Sequence, residues 1–188
     1  MEVLDWNGTA WTQVGATLVG DIDGNVNNAV FGHAIALSGS GSRLAVGAPD
    51  AASGAGKVQA YDWNGVGWVQ AGASIDGVSE GDRSGRAVVL SADGLRLVVG
   101  VPYASVGGAA SGQAFAFDWN GSAWVQAGAS IGGLTTNSFA GRSIALSGSG
   151  TRLLFGAPYD GAGSTWIGLV RVFDFPRPVA PVAPAYTG

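Results

Sequence analysis

Phe31-Gly32-His33-Ala34-Ile35-Ala36-Leu37, a turn of small residues at 38–42, and Arg43-Leu44-Ala45-Val46-Gly47-Ala48-Pro49 form the stretch that decides the fold. An apolar segment leads into a tight turn and out into a second apolar segment headed by Arg. The frame returns from Gly85 to Gly100-Val101-Pro102 and from Gly141 to Gly156-Ala157-Pro158. The glycine-to-glycine step is fifteen residues each time (32 to 47, 85 to 100, 141 to 156). Proline closes each copy, because a residue without an N–H cannot extend a strand's hydrogen-bond ladder.

Outward from this frame, Asp5-Trp6-Asn7-Gly8 recurs as Asp62-Trp63-Asn64-Gly65 and Asp118-Trp119-Asn120-Gly121, at steps of 57 and 56 residues. A fourth copy starts at Asp174-Phe175 and stops. Residues 1–175 therefore hold three repeats, at about 5–61, 62–117 and 118–173, and 176–188 form a Pro-rich tail. Repetition at such a period marks stacked or radial architectures.

Each repeat reads as four short strands. The first lies near 34–37, 87–90 and 143–146, and the second near 43–46, 95–99 and 152–155. The third lies near 58–61, 113–117 and 169–173, and the fourth near 11–15, 68–72 and 124–128. The second strands are almost wholly apolar after their Arg, as deeply buried strands are. Asn-Gly at 7–8, 64–65 and 120–121 signals hairpins in which both residues take positive φ. The predicted fold is all-β, with three four-stranded antiparallel propeller-like blades. Closed propellers have about four to eight blades. Two outcomes therefore stay open: a closed three-fold ring or prism completed by interleaved termini, or a partial propeller completed from outside. The tail, with Pro176, Pro178, Pro181 and Pro184, is expected to run extended as a linker or loose terminus rather than as a strap on a partner.

Of the 188 residues, 47% are hydrophobic, 12% are charged and 33 are Gly, which favours many short strands over long helices. A net charge of −4 speaks against nucleic acid, whose backbone needs a basic face, and against a polybasic hold on a membrane. No apolar run nears the ~18 residues of a membrane helix, so no direct membrane insertion is expected. The start Met1-Glu2 does not read as a signal peptide. With no cysteine, disulfides, thiolate nucleophiles and Cys-ligated zinc are excluded.

The pattern resembles FG-GAP repeats, the blades of the integrin α-chain β-propeller. It is closer still to tandem versions worded W-N-G-x-x-W, a Gly-rich stretch, then L-S-x-x-G-x-R-L-x-x-G-x-P. The likeness covers roughly residues 2–175. Phe31-Gly32 and Gly47-Ala48-Pro49 carry it literally, whereas the second copy has Ser84-Gly85 and Val101 and the third has Ala140-Gly141. The resemblance implies adhesion-type work at an extracellular, cell-surface or organelle-lumen location. It also implies calcium in an Asp-rich loop between the first two strands. The corresponding turns at 38–42, 91–94 and 147–150 hold one acid, Asp93, so the family's metal sites are expected to be lost.

The candidate chemistry is sparse. Asp21, Asp23 and Asn25, in Asp-Ile-Asp-Gly-Asn, look like a fragment of a calcium loop; the residues favour a self-capping Asx turn, and no cofactor is expected. Arg43, Arg96 and Arg152 share one repeat position. They either form a cationic ring for an anionic group or brace neighbouring blades, and the second reading is preferred. Six of the seven Trp form pairs (6/11, 63/68, 119/124) that pack across hairpins, leaving Trp166 as the candidate contact residue. His33 aligns with Arg86 and Arg142 and has no triad around it. The expected function is a non-enzymatic interaction or structural module, adhesion-like or a subunit of a larger assembly. Its partner would be another protein or further copies completing the propeller. The alternative is a lectin-like module that holds a glycan on exposed Trp.

Overall fold

A computed structural model of the chain describes residues 1–20, 29–161 and 167–180. They form four antiparallel sheets. Strands β1 (Leu4–Trp6) and β2 (Trp11–Gln13) pair as an N-terminal hairpin. The first full sheet runs β3 (Ala34–Leu37), β4 (Arg43–Ala48), β5 (Lys57–Trp63) and β6 (Trp68–Gln70), with β7 (Ile75–Asp76) also paired to β5. The second repeats it with β8 (Ala87–Leu90), β9 (Arg96–Val101), β10 (Gln113–Trp119), β11 (Trp124–Gln126) and β12 (Ile131–Gly132). The third holds β13 (Ser143–Leu146), β14 (Arg152–Ala157) and β15 (Leu169–Asp174).

The expected twelve-strand arrangement of three equal blades is corrected here. Among the described residues the sheets have two, five, five and three strands, and no closed barrel forms. The fifth strands arise because the chain returns after β6 and β11, and Ile75 and Ile131 re-pair with the free ends of β5 and β10. Each full sheet takes its fourth strand from the start of the next sequence repeat. Among the described residues the third sheet has no fourth strand, and Pro176 follows Phe175 where the other copies continue Asn-Gly.

The hairpins between third and fourth strands differ in mechanism from the expectation. Gly8, Gly65 and Gly121 take positive φ, but their Asn neighbours do not. The loops are four residues long, and each Asn works through its side chain. Oδ1 of Asn7 accepts from the N–H groups of Thr9 and Ala10, Oδ1 of Asn64 from Val66 and Gly67, and Oδ1 of Asn120 from Ser122 and Ala123. The Trp pairs then face each other across these loops with ring centroids 5.3–5.5 Å apart, and cross-strand aromatic pairs stabilise a hairpin modestly.

The sheets stack face to face in chain order, and the apolar core lies between them. Ala45 and Val58 meet Val88, Leu97 and Val99 between the first and second sheets. Val98, Ala114 and Ala116 meet Leu153 and Phe155 between the second and third. Met1, Val3, Leu18 and Phe31 close over Leu44, Val46 and Tyr61 at the N-terminal end. The recurring glycines let the innermost strands touch. A Cβ at Gly47 would overlap the carbonyl oxygen of Gly85, and one at Gly100 that of Gly141. The fifteen-residue step thus pairs each sheet's own glycines across its first two strands (Gly85 N–H to Gly100 O, 3.2 Å; Gly141 N–H to Gly156 O, 2.9 Å) while presenting a bare Cα to the next sheet.

The tail is tied down further than expected. Pro178 is buried, next to Gly150, and the Pro176 carbonyl accepts a hydrogen bond from Arg96. Residues 181–188 lie outside the described residues.

Gly100→Ala is expected to cost roughly 1–3 kcal/mol or more, because backbone cannot move aside as a side chain can. Gly156→Ala overlaps chiefly the Ser143 hydroxyl, which can rotate away, with the Ser143 carbonyl oxygen at 3.3 Å, and should be milder. Thermal melts of the two variants side by side test this, and equal losses would contradict the stacking role.

Candidate functional site

The charged residues of the repeat converge on one device. Arg43 grips Asp62 of its own sheet with two bonds, Nε to Oδ1 at 2.6 Å and Nη2 to Oδ2 at 2.7 Å. Its Nη1 reaches the next sheet and donates to the Gly94 carbonyl at 2.9 Å. The guanidinium lies 4.6 Å from the ring centroid of Trp119 and 5.4 Å from that of Trp124. Arg96 repeats the pattern, with Asp118 at 2.7 Å twice, the Gly150 carbonyl at 2.6 Å and the Phe175 ring at 5.0 Å. A planar fork suits this dual role, since it pairs bidentately with a carboxylate and still offers a donor and a face for an aromatic ring.

Arg152 has only half of the device. It holds Asp174 at 2.7 and 3.0 Å, but no following sheet stands beside it among the described residues. Its side chain is 60% exposed, against 11% for Arg43 and 1% for Arg96. The hydrogen bonds from Arg152 hold the Asp174 carboxyl below its ordinary pKa. This contribution is present at neutral pH and fades as pH falls through the lowered value.

Turn backbones form a second chain of links. Gly39 N–H donates to Ala92 O, and Ala92 N–H donates to Gly148 O, both at 2.8 Å. The turns that the family resemblance associates with calcium are filled by hydroxyls instead. Ser38, Ser40 and Ser42 bond in series, as do Ser147, Ser149 and Thr151. Asp93 is committed to the Ser91 hydroxyl and the Leu95 N–H. Among the described residues no group of three or more His, Asp or Glu is placed to hold a metal. Asp21, Asp23, Asn25 and Trp166 lie outside the described residues.

A cleft of about 210 Å³ opens between the first and second sheets, lined among others by Ile75, Asp76, Asp82, Val99, Phe115 and Gln126. Burial raises the Asp82 carboxyl above its ordinary pKa, partly offset by a hydrogen bond from Ser79. At the matching place between the second and third sheets Arg171 donates to Gly132 O at 2.9 Å. His33 and Arg142 are exposed at the strand entries, and Arg142 lies 5.9 Å from the Tyr159 ring.

What the sequence reading did not single out is the apolar surface at the two ends of the stack. On the third sheet Leu154, Val170 and Val172 are exposed, and on the first sheet Ile35 and Leu37 are exposed. Their sequence context matches that of the buried copies, so no signal in the sequence marks them. The N-terminal end is also imperfectly seated: Trp68 Nε1 is buried without a partner, whereas the equivalent Trp124 Nε1 donates to Ala71 O at 3.1 Å.

No family model and no curated protein sequence matches the chain. Among solved structures it is similar to hydrazine synthase of Kuenenia stuttgartiensis, with 17% identity and a TM-score of 0.49 over 75% of this chain and 33% of that one. It is similar to Sqt1 of Saccharomyces cerevisiae, with 14% identity and a TM-score of 0.49 over 71% and 31%. TolB of Acinetobacter baumannii matches with 16% identity and a TM-score of 0.43 over 79% and 30%. The chain spans about a third of the length of each, and likeness at this level assigns it no activity.

Arg96→Ala removes a fully buried guanidinium together with its bonds to Asp118, Gly150 and Pro176 and should cost about 3 kcal/mol, a fall of roughly 6–12 °C in melting midpoint for a chain of this size. Arg152→Ala should leave the midpoint near that of the wild type, because exposed pairs contribute little. A comparable loss in both would contradict the bracing role.

Asp82→Asn tests the burial effect. A raised carboxyl pKa destabilises the fold only while the group is ionised, so the cost is present above the raised value and gone below the unfolded value of about 3.9. The variant should melt higher than the wild type at pH 7 and equally at acid pH, as read by calorimetry across that range.

Proposed function

We infer that this chain is a non-enzymatic protein-interaction module, a partial β-propeller of FG-GAP type that acts as a scaffold segment. The observation that carries this reading is where the repeat's chemistry goes. Two of the three recurrent Arg–Asp pairs hold one sheet to the next, and the recurrent glycines bring the sheets together. The surface left over at the stack ends is apolar, and apolar surface on exposed sheet faces marks interaction sites. The repeat wording supports adhesion-like or assembly-subunit work at a cell surface, outside the cell or in a lumen. No bound cofactor is part of this reading: two of the turns that carry calcium in the resembled family hold only hydroxyls, and the third has the single carboxylate Asp93, bonded to Ser91 and Leu95.

A second reading is favoured by one feature. Trp6 and Trp11 are 50% and 66% exposed with ring centroids 5.4 Å apart, a platform on which a sugar ring could stack. That would make the module lectin-like.

Two measurements separate the readings. The purified chain should turn over nothing in a panel of hydrolase and oxidoreductase substrates, and clear turnover overturns the scaffold reading. On a glycan array the wild type should bind no sugar; binding that Trp11→Ala abolishes selects the lectin.

A further inference from the structure

Among the described residues the third sheet is the last of the stack, and it shows a face that the first two sheets never show. Leu154, Val170 and Val172 are 43%, 64% and 57% exposed. Their repeat equivalents Val98, Ala114 and Ala116 are buried under the sheet that follows, as are Ala45, Val58 and Ala60. Gly156 stands where Gly47 and Gly100 receive the next sheet's glycine carbonyl. Arg152 stands where Arg43 and Arg96 reach the next sheet's turn, and Gly148 N–H stands where Gly39 and Ala92 donate to it. Together these features specify a layer of the same kind, and the internal interfaces show how it would sit.

The matching face is at the other end of the chain. Ile35, 63% exposed, takes the place of Val88, 6% exposed, and Leu37, 57% exposed, takes that of the half-buried Leu90. A Cβ at Gly32 would meet nothing, whereas at its equivalents Gly85 and Gly141 it would meet the preceding sheet. The turn at 38–42 supplies the carbonyls of Gly39 and Gly41, at the places of Ala92 and Gly94, which accept these bonds inside the chain. The N-terminal hairpin covers only part of this face. Met1 and Val3, which pack on Leu44, Val46 and Tyr61, occupy the repeat positions of Val170 and Val172.

We propose that the chain self-associates head to tail, the third sheet of one copy seating on the first sheet of the next in place of that copy's strand β1. The exchange replaces Met1 and Val3 with Val170 and Val172, apolar for apolar, and adds cover for Ile35, Leu37 and Leu154. Strand β15 holds the shared place more firmly than β1, with six paired residues and the Arg152–Asp174 bond against three paired residues. The displaced N-terminus leaves β2 free to pair with the open edge of β15, as β6 pairs with β5. Such a contact joins unlike faces, so it continues into a ring or filament unless one face is blocked. The proposal rests on the interaction reading and names its partner as a second copy of this chain.

Sedimentation velocity on the full chain tests it with Val172→Asp and Leu37→Asp, both at exposed positions where folding is spared. The wild type should grow in mass with concentration, and each variant alone should remain monomeric. An equimolar mixture should form a dimer, because each variant keeps the face that the other has lost. Hydrogen exchange in that dimer should quicken at residues 1–6 and slow at 169–174. A wild type that stays monomeric at every concentration overturns the proposal, as does a mixture that stays monomeric while the wild type associates. Neither outcome touches the non-enzymatic reading, which the substrate panel decides separately.

Discussion

Successive sheets approach so closely at their inner strands that backbone meets backbone. Gly47 lies against Gly85 and Gly100 against Gly141 with no room for a Cβ, and the rest of the structure follows from that distance. Small residues fill the interfaces beside the glycines, as Ala45, Ala60, Ala114 and Ala116 do. Only the bulk of Val, Leu and Phe further along the strands sets the sheets apart again. Close packing of this kind tolerates few changes of volume, which explains why the same spacing is kept through three repeats.

The Arg–Asp pairs act at the outer ends of the second and third strands, where turns and hairpins of neighbouring sheets meet. There the guanidinium makes three kinds of contact at once: an ion pair within its sheet, a hydrogen bond to the next turn, and a face on an aromatic ring. A buried ion pair is a poor source of net stability against a hydrophobic replacement, but it fixes geometry. Here it fixes the rotation of one sheet on the next. The consequence for function is that the recurrent arginines are committed to the fold and not open to a ligand, except at the last copy.

Much of the fold was legible in the sequence because two signals agreed. The period of 56–57 residues divided the chain, and within it the apolar runs of 34–37 and 43–46, with their copies, marked strands that the structure places at Ala34–Leu37 and Arg43–Ala48. The Trp pairs were legible for the same reason, since Asn-Gly holds their strands in register. The short strands Ile75–Asp76 and Ile131–Gly132 were not. Two residues carry no periodicity, and their pairing depends on where β5 and β10 have free ends. The anchored start of the tail was equally hidden: Pro176 contributes only a carbonyl, and nothing in the sequence names Arg96 as its donor. Of the candidate site, the shared position of the arginines was visible and the partners of each were not.

By itself the sequence determined the kind of element, its length and its number of copies, because apolar spacing, turn residues and proline act on their immediate neighbours. It also excluded cysteine chemistry, since the chain contains no cysteine. Only the tertiary structure decided which copies are covered and which are bare. Arg43, Arg96 and Arg152 read alike, as do Val58, Ala114 and Val170, yet in each set the first two are covered and the third is exposed. Burial depends on whether another sheet stands alongside, and that is a property of position in the stack rather than of any residue or its neighbours in the chain.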